Sequence, residues 1–146
     1  DEKTVIKSID EYREKFKQLS FNDIAFPRSV RGLEKYKSTK SIYSKATPIH
    51  VRGVLLYNHF LEQFNLTKRY QLIRDGEKIR FAYLKEPNII GENVIAISTV
   101  LPKEFKLDKY IDYDLQFDKS FLQPIKNILD TIGWRAENIG TLDSFF

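Results

Sequence analysis

The sequence predicts an α+β fold: helices with a small antiparallel sheet, in a single domain that ends in a short tail. Three observations carry this. Apolar residues recur at three- and four-residue steps in three separated stretches, the mark of amphipathic helices. Two shorter stretches, KIRFAYLK and NVIAIS, read as strands bounded by turn signals. Nothing between them resembles a repeat, a low-complexity run or a Pro/Gly-rich linker, and 146 residues is the size of one ordinary domain.

Taken in order, Val5, Ile6, Ile9, Tyr12, Phe16 and Leu19 define a first helix, whose early acidic residues suit its N-terminal dipole. Asn22 to Phe26 reads as a short strand. A second helix is predicted to start at Thr47, with Thr as N-cap and Pro48 in the first helical position, where a missing N–H costs nothing. Val51, Val54, Leu55, Phe60, Leu61 and Phe64 continue it. Gly53 inside this helix costs about 1 kcal/mol in propensity, so close packing against backbone is expected there. Asp75-Gly76 marks a turn before KIRFAYLK, and a Pro87/Gly91 loop leads to the strand at Val94 to Ile97. From Tyr113 a last helix runs through Phe117, Phe121, Leu122, Ile125, Ile128, Leu129 and Ile132, kinked at Pro124 and ended by Gly133. The expected division is a body over residues 1–134 and a tail over 135–146.

Composition narrows the function classes. The chain has no cysteine, which removes disulfides and thiolate metal sites and suits a reducing cytoplasm. No apolar run has the length of a membrane span, so no membrane partner is expected. DEKTVIK lacks a signal-peptide core and has no initiator Met, so it reads as an interior cut through a longer chain.

Charge is concentrated in one place. Pro27 to Arg52 carries seven cations (Arg28, Arg31, Lys35, Lys37, Lys40, Lys45 and Arg52) against one anion, Glu34. That window is +6 in a chain of +4, while residues 86–146 are −4. Cations interleaved with Ser, Thr and Tyr suit a run of phosphates, gripped without reading base sequence. A solvated basic loop with no partner is the alternative that composition leaves open.

Candidates for catalysis are few. Metal-dependent nucleotidyl transfer needs carboxylates converging on one or two cations. Asp108, Asp112, Asp114 and Asp118 cluster in sequence, but Lys119 and Lys126 nearby favour a solvated helix start. His50 and His59 have no ligand-like spacing to other donors and read as structural or phosphate-facing. There is no Gly-rich phosphate loop and no nucleophile motif. Neither a catalytic residue, a metal nor a cofactor is expected in this segment.

Three blocks in one order add a resemblance: TPIHVRGVLLYN (Thr47 to Asn58), DGEKIRFAYLK (Asp75 to Lys85) and IDYDLQFDKSFLQPIKNILDTIGW (Ile111 to Trp134). They are similar to the Pro-His helix, the Gly-x-x-Ile-x-Tyr strand and the closing helix in the thumb of family B replicative DNA polymerases. REKFKQLSFNDIAFP is similar to the T-even-like phage branch in particular. The palm and exonuclease motifs of that family are absent, so the chain resembles a part of such an enzyme, inactive alone, whose Mg would reside elsewhere in the parent polymerase.

The resemblance implies a thumb that holds duplex primer-template DNA by its backbone, working with the remaining polymerase domains in the host cytoplasm. The positions it points to are Arg28, Ser29, Arg31, Lys35, Lys37, Lys40, Lys45, His50 and Arg52, with Lys78 and Arg80 on the sheet. The tail GTLDSFF resembles the carboxy-terminal peptide by which replicative polymerases plug into a sliding clamp, through Leu142, Phe145 and Phe146. Ile139 stands where such peptides often have Gln. A fold-back of these aromatics onto the body is the competing reading, opposed by the terminal carboxylate on Phe146, which resists burial. On residue chemistry alone, a free-standing nucleic-acid-binding or adaptor protein remains the alternative function.

Overall fold

A computed structural model of the chain describes residues 1–36 and 39–133. The element order is α1 (Glu2–Phe16), α2 (Phe21–Ile24), β1 (Phe26–Ser29), α3 (Ile49–Gln63), β2 (Lys78–Tyr83), β3 (Val94–Ile97), α4 (Tyr113–Phe117) and α5 (Gln123–Thr131). The fold is α+β, as the sequence predicts. The described residues group into two compact units, residues 1–20 with those from 113 onward, and residues 21–112.

The first unit packs α1 with α4 and α5. Ile9, Phe117, Leu122 and Leu129 form its core, with Val5, Phe16, Phe121 and Ile125 around them. Asp1 caps α1 by accepting from the Thr4 amide at 2.9 Å. The helix ends at Phe16, so Leu19, which the periodicity includes, lies beyond it and is exposed. Arg13 is 2% exposed; its guanidinium lies 4.7 Å from the Phe117 ring centroid and 3.3 Å from Asp114.

The last helix is not one kinked helix. Between α4 and α5 the chain makes a π-helical turn, Asp118–Leu122, in which the Gln123 amide donates to the Asp118 carbonyl. Pro124 explains the widening: it has no N–H to offer, and in α geometry its ring would press on the carbonyl one turn back. Within the turn the Ser120 hydroxyl donates to the Gln116 carbonyl. Gly133, with φ of 85°, follows the end of α5 as expected.

In the second unit, β2 is the central strand between β1 and β3, both antiparallel to it. The expected strand at Asn22 to Phe26 is instead a helical turn followed by β1. Phe21, Ile24 and Ala25 are all buried, a helical spacing rather than an alternation, and the Ala25 amide donates to the Phe21 carbonyl at 2.9 Å. β3 occupies Val94–Ile97, all four residues buried on both faces.

Helix α3 packs on the sheet and starts one residue later than predicted. Pro48, not Thr47, is the N-cap, with no side-chain cap bond, and the Arg52 amide donates to the Pro48 carbonyl at 2.9 Å. Asn58 fixes the chain after the helix: its amide nitrogen donates to the Ile73 carbonyl at 2.9 Å, and its oxygen accepts from the Ile73 amide at 2.8 Å.

Candidate nucleic-acid interface

The basic window begins in β1, an edge strand, and the ladder register sorts its cations. Arg28 lies opposite Ile79, Ser29 opposite Lys78 and Pro27 opposite Arg80. Since successive side chains alternate between faces, Ser29, Lys78 and Arg80 share one face of the sheet while Arg28 belongs to the other. Ser29, Lys78 and Arg80 are all exposed, and Arg80 donates to the Asn22 carbonyl at 3.3 Å.

On the opposite face, Arg28 lies 5.8 Å from the Phe81 ring centroid and donates to the Pro27 carbonyl at 2.8 Å. His50, in the first turn of α3, meets the same ring with centroids 6.3 Å apart. The His50 imidazole is therefore half-buried beside a guanidinium. Its pKa is held below the ordinary 6.5, first by burial and second by the charge of Arg28.

Past β1 the chain stays tied to the turn before β2. The Val30 amide donates to the Glu77 carbonyl at 3.0 Å, and the Gly76 amide to the Val30 carbonyl at 2.7 Å. Gly76, with φ of 86°, adopts the left-handed geometry this turn requires. Asp75 accepts from the Leu33 amide at 3.0 Å, fixing the start of a 3₁₀ turn, Leu33–Tyr36, that carries Lys35. Arg31 and Lys35 project into solvent here. Lys40 lies in a second 3₁₀ turn, Thr39–Tyr43, anchored by buried Ile42, and Lys45 is exposed beyond it. Lys37, Leu142, Phe145 and Phe146 lie outside the described residues.

Arg52 differs from the other candidates. Its guanidinium pairs with Glu92 at 3.2 Å and donates to the Asn93 side chain at 2.6 Å, with only 14% of the side chain exposed. It joins α3 to the β2–β3 loop, leaving little of the guanidinium for a phosphate. The loop itself is organised by Asn88, which donates to the Lys85 and Glu92 carbonyls and accepts from the Ile90 and Gly91 amides. Sequence reasoning missed Glu92 and Asn93 because they come 40 and 41 residues after Arg52.

Two of the acidic candidates, Asp114 and Asp118, are engaged in structure. Asp114 pairs with Arg13 at 3.3 Å and Lys17 at 3.6 Å, and Asp118 accepts from Gln123 at 2.9 Å. Among the described residues no three His, Asp or Glu side chains converge as a metal site. No helix among them is long and apolar enough to cross a membrane.

The arrangement is a basic edge able to meet polyanions from both faces of β1, with no assembled carboxylate centre among the described residues. No family model matches the chain. It is similar to the DNA-directed DNA polymerase of Enterobacteria phage T4, 30% identical over an alignment of 149 residues that covers 99% of this chain. The chain spans 16% of the length of that relative, and what it resembles is thus one region of a DNA polymerase.

Proposed function

We propose that the chain is the thumb region of a family B replicative DNA polymerase, holding primer-template duplex by its backbone and tethered to a sliding clamp by its tail. The observation that carries the reading is the joint one of an end-to-end likeness to a polymerase region and a basic edge strand inside it. Arg28, Ser29, Arg31, Lys35, Lys40, Lys45, Lys78 and Arg80, with Lys37 from the sequence, supply the cations and hydroxyls. Each neutralised phosphate releases condensed counterions, which gives affinity without reading bases. Such a grip lets duplex slide past while the primer end stays with the catalytic domains.

Arg52 drops out of the contact set, since it serves the fold. His50 joins Arg28 as a contact whose charge a nearby phosphate would favour. Leu142, Phe145 and Phe146 form the clamp-docking peptide, supported by their sequence pattern. The catalytic metal ions belong to other domains of the parent enzyme, and the chain alone neither extends nor degrades DNA.

Duplex binding measured across a salt series tests the grip. Changing Arg28, Arg31, Lys35 and Lys37 together to Ala should lower affinity for all sequences alike and flatten the log–log salt slope by about two to four. An unchanged affinity and slope would reduce the window to a solvated loop.

A further inference from the structure

A second basic site lies at the far end of the central strand, in a stretch whose overall charge hides it. Residues 86–146 are net −4, yet Lys103, Lys106 and Lys109 converge around one groove of about 400 Å³, completed by Ile89, Asp108 and Tyr110. The local sequence explains the convergence. Phe105 and Leu107 are 0% and 1% exposed and anchor the segment to the core, so Lys106 between them faces outward, and Lys103 and Lys109 on either side are exposed as well. Lys106 has φ of 52°, an uncommon conformation for a side-chain-bearing residue, which turns the chain between two 3₁₀ turns, Lys103–Phe105 and Asp108–Tyr110.

The groove's charge is available to a ligand. None of the three ammonium groups is ion-paired among the described residues. Glu104, next to Lys103 in sequence, is turned to Arg69 at 3.0 Å and Tyr70 at 2.8 Å. Among the described residues Asp108 is the one lining carboxylate, and the lining they make is net +2. Tyr110 is fixed through its backbone, whose carbonyl accepts from the Lys85 amide at 2.6 Å. Lys78, in the candidate duplex interface, and Tyr83, near the groove's end of the sheet, mark the two ends of β2, about 17 Å apart. The groove is therefore a separate site.

We propose that this groove binds a nucleotide unit of single-stranded nucleic acid, with phosphates among Lys103, Lys106 and Lys109 and a base against Tyr110 and Ile89. A flat cationic patch would suit duplex backbone equally well. A concave site with an aromatic and an aliphatic wall suits an unstacked base, which duplex does not present. Its volume is in the range of small-ligand pockets.

Fluorescence anisotropy with labelled short oligothymidylate, run beside duplex of matched length, tests the assignment on the full chain. K103Q, K106Q and K109Q combined should weaken single-strand binding roughly tenfold or more at low salt and flatten its salt slope by about two. Tyr110→Leu should weaken it about fivefold or more, whereas Tyr110→Phe, which keeps the ring, should bind like the parent. An Arg31→Ala, Lys35→Ala variant should lose duplex affinity and keep single-strand affinity. Thermal melts of each variant identify any that lose the fold, and Tyr110→Phe keeps the comparison valid if Tyr110→Leu does. Unchanged single-strand binding in the triple variant would overturn the site. Normal binding by Tyr110→Leu would overturn the base contact, and equal losses for duplex and single strand would overturn the strand preference.

Discussion

Gly53 of α3 lies directly against Ala96 of β3. A Cβ built on Gly53 would stand 3.0 Å from both the amide nitrogen and the Cβ of Ala96, and 3.2 Å from the carbonyl carbon of Ile95. Ala96 is paired with Phe81 in the ladder and fully buried, so it has no room to yield. The helix approaches the sheet this closely because the residue at the crossing has no side chain.

Gly53→Ala is therefore expected to destabilise the protein. Its helix-propensity gain of about 1 kcal/mol is outweighed by overpacking of roughly 1–3 kcal/mol against backbone. Chemical denaturation should show a net loss of up to about 2 kcal/mol. A more stable variant would mean that α3 can lift from β3 at little cost.

Arg52 and Arg31 are expected to separate stability from DNA affinity. Arg52→Ala removes a pair that is 14% and 18% exposed and leaves the Glu92 carboxylate and the Asn93 side-chain oxygen without this donor, which should cost about 1–3 kcal/mol. Its duplex salt slope should stay near that of the parent. Arg31→Ala should do the reverse, leaving the melt unchanged while lowering the slope by about one. Parallel denaturation and salt titrations of both variants check this.

The Arg28–His50 pair gives a pH dependence of definite sign. Because the folded pKa of His50 lies below 6.5, the folded protein resists protonation more than the unfolded chain does. The stability this contributes is present above 6.5 and is lost as pH falls through 6.5 toward the folded value. Arg28→Ala should raise the His50 pKa part of the way only, since burial, the larger cause, remains. Duplex bound beside the pair should raise it as well, taking up protons. Imidazole NMR titrations of parent, variant and complex measure all three.

For the tail, Phe145→Ala with Phe146→Ala should abolish binding to the cognate sliding clamp while the melting temperature hardly moves. Each aromatic offers roughly 150–250 Å² of apolar surface to a pocket. If instead the aromatics belonged to the protein's own core, their removal would cost about 3–5 kcal/mol each, which a melt would expose. Calorimetric titration against the clamp, paired with the melt, decides between them.

The elements that were legible in sequence are those fixed by local pattern. The apolar run of β3, the alternation of β2 and the helical spacing of α3 are properties of contiguous residues, and Gly53 marked the close crossing by its cost in a helix. The candidate interface was legible as charge, since seven cations in one window need no tertiary information to be counted. Local pattern misread Asn22 to Phe26 because a helical turn and a short buried strand share the same few apolar residues. It also gave one kinked helix where Pro124 instead widens the chain into a π turn. Tertiary structure alone decided which cations share a face. The register of β1 on β2 sends Arg28 to one face and Ser29, Lys78 and Arg80 to the other, because side chains alternate with a period of two. Folding brings Glu92 and Asn93 to Arg52 and withdraws it from solvent. It likewise gathers three lysines of an acidic stretch around one groove, since charge counted along the chain does not report which side chains the core forces outward.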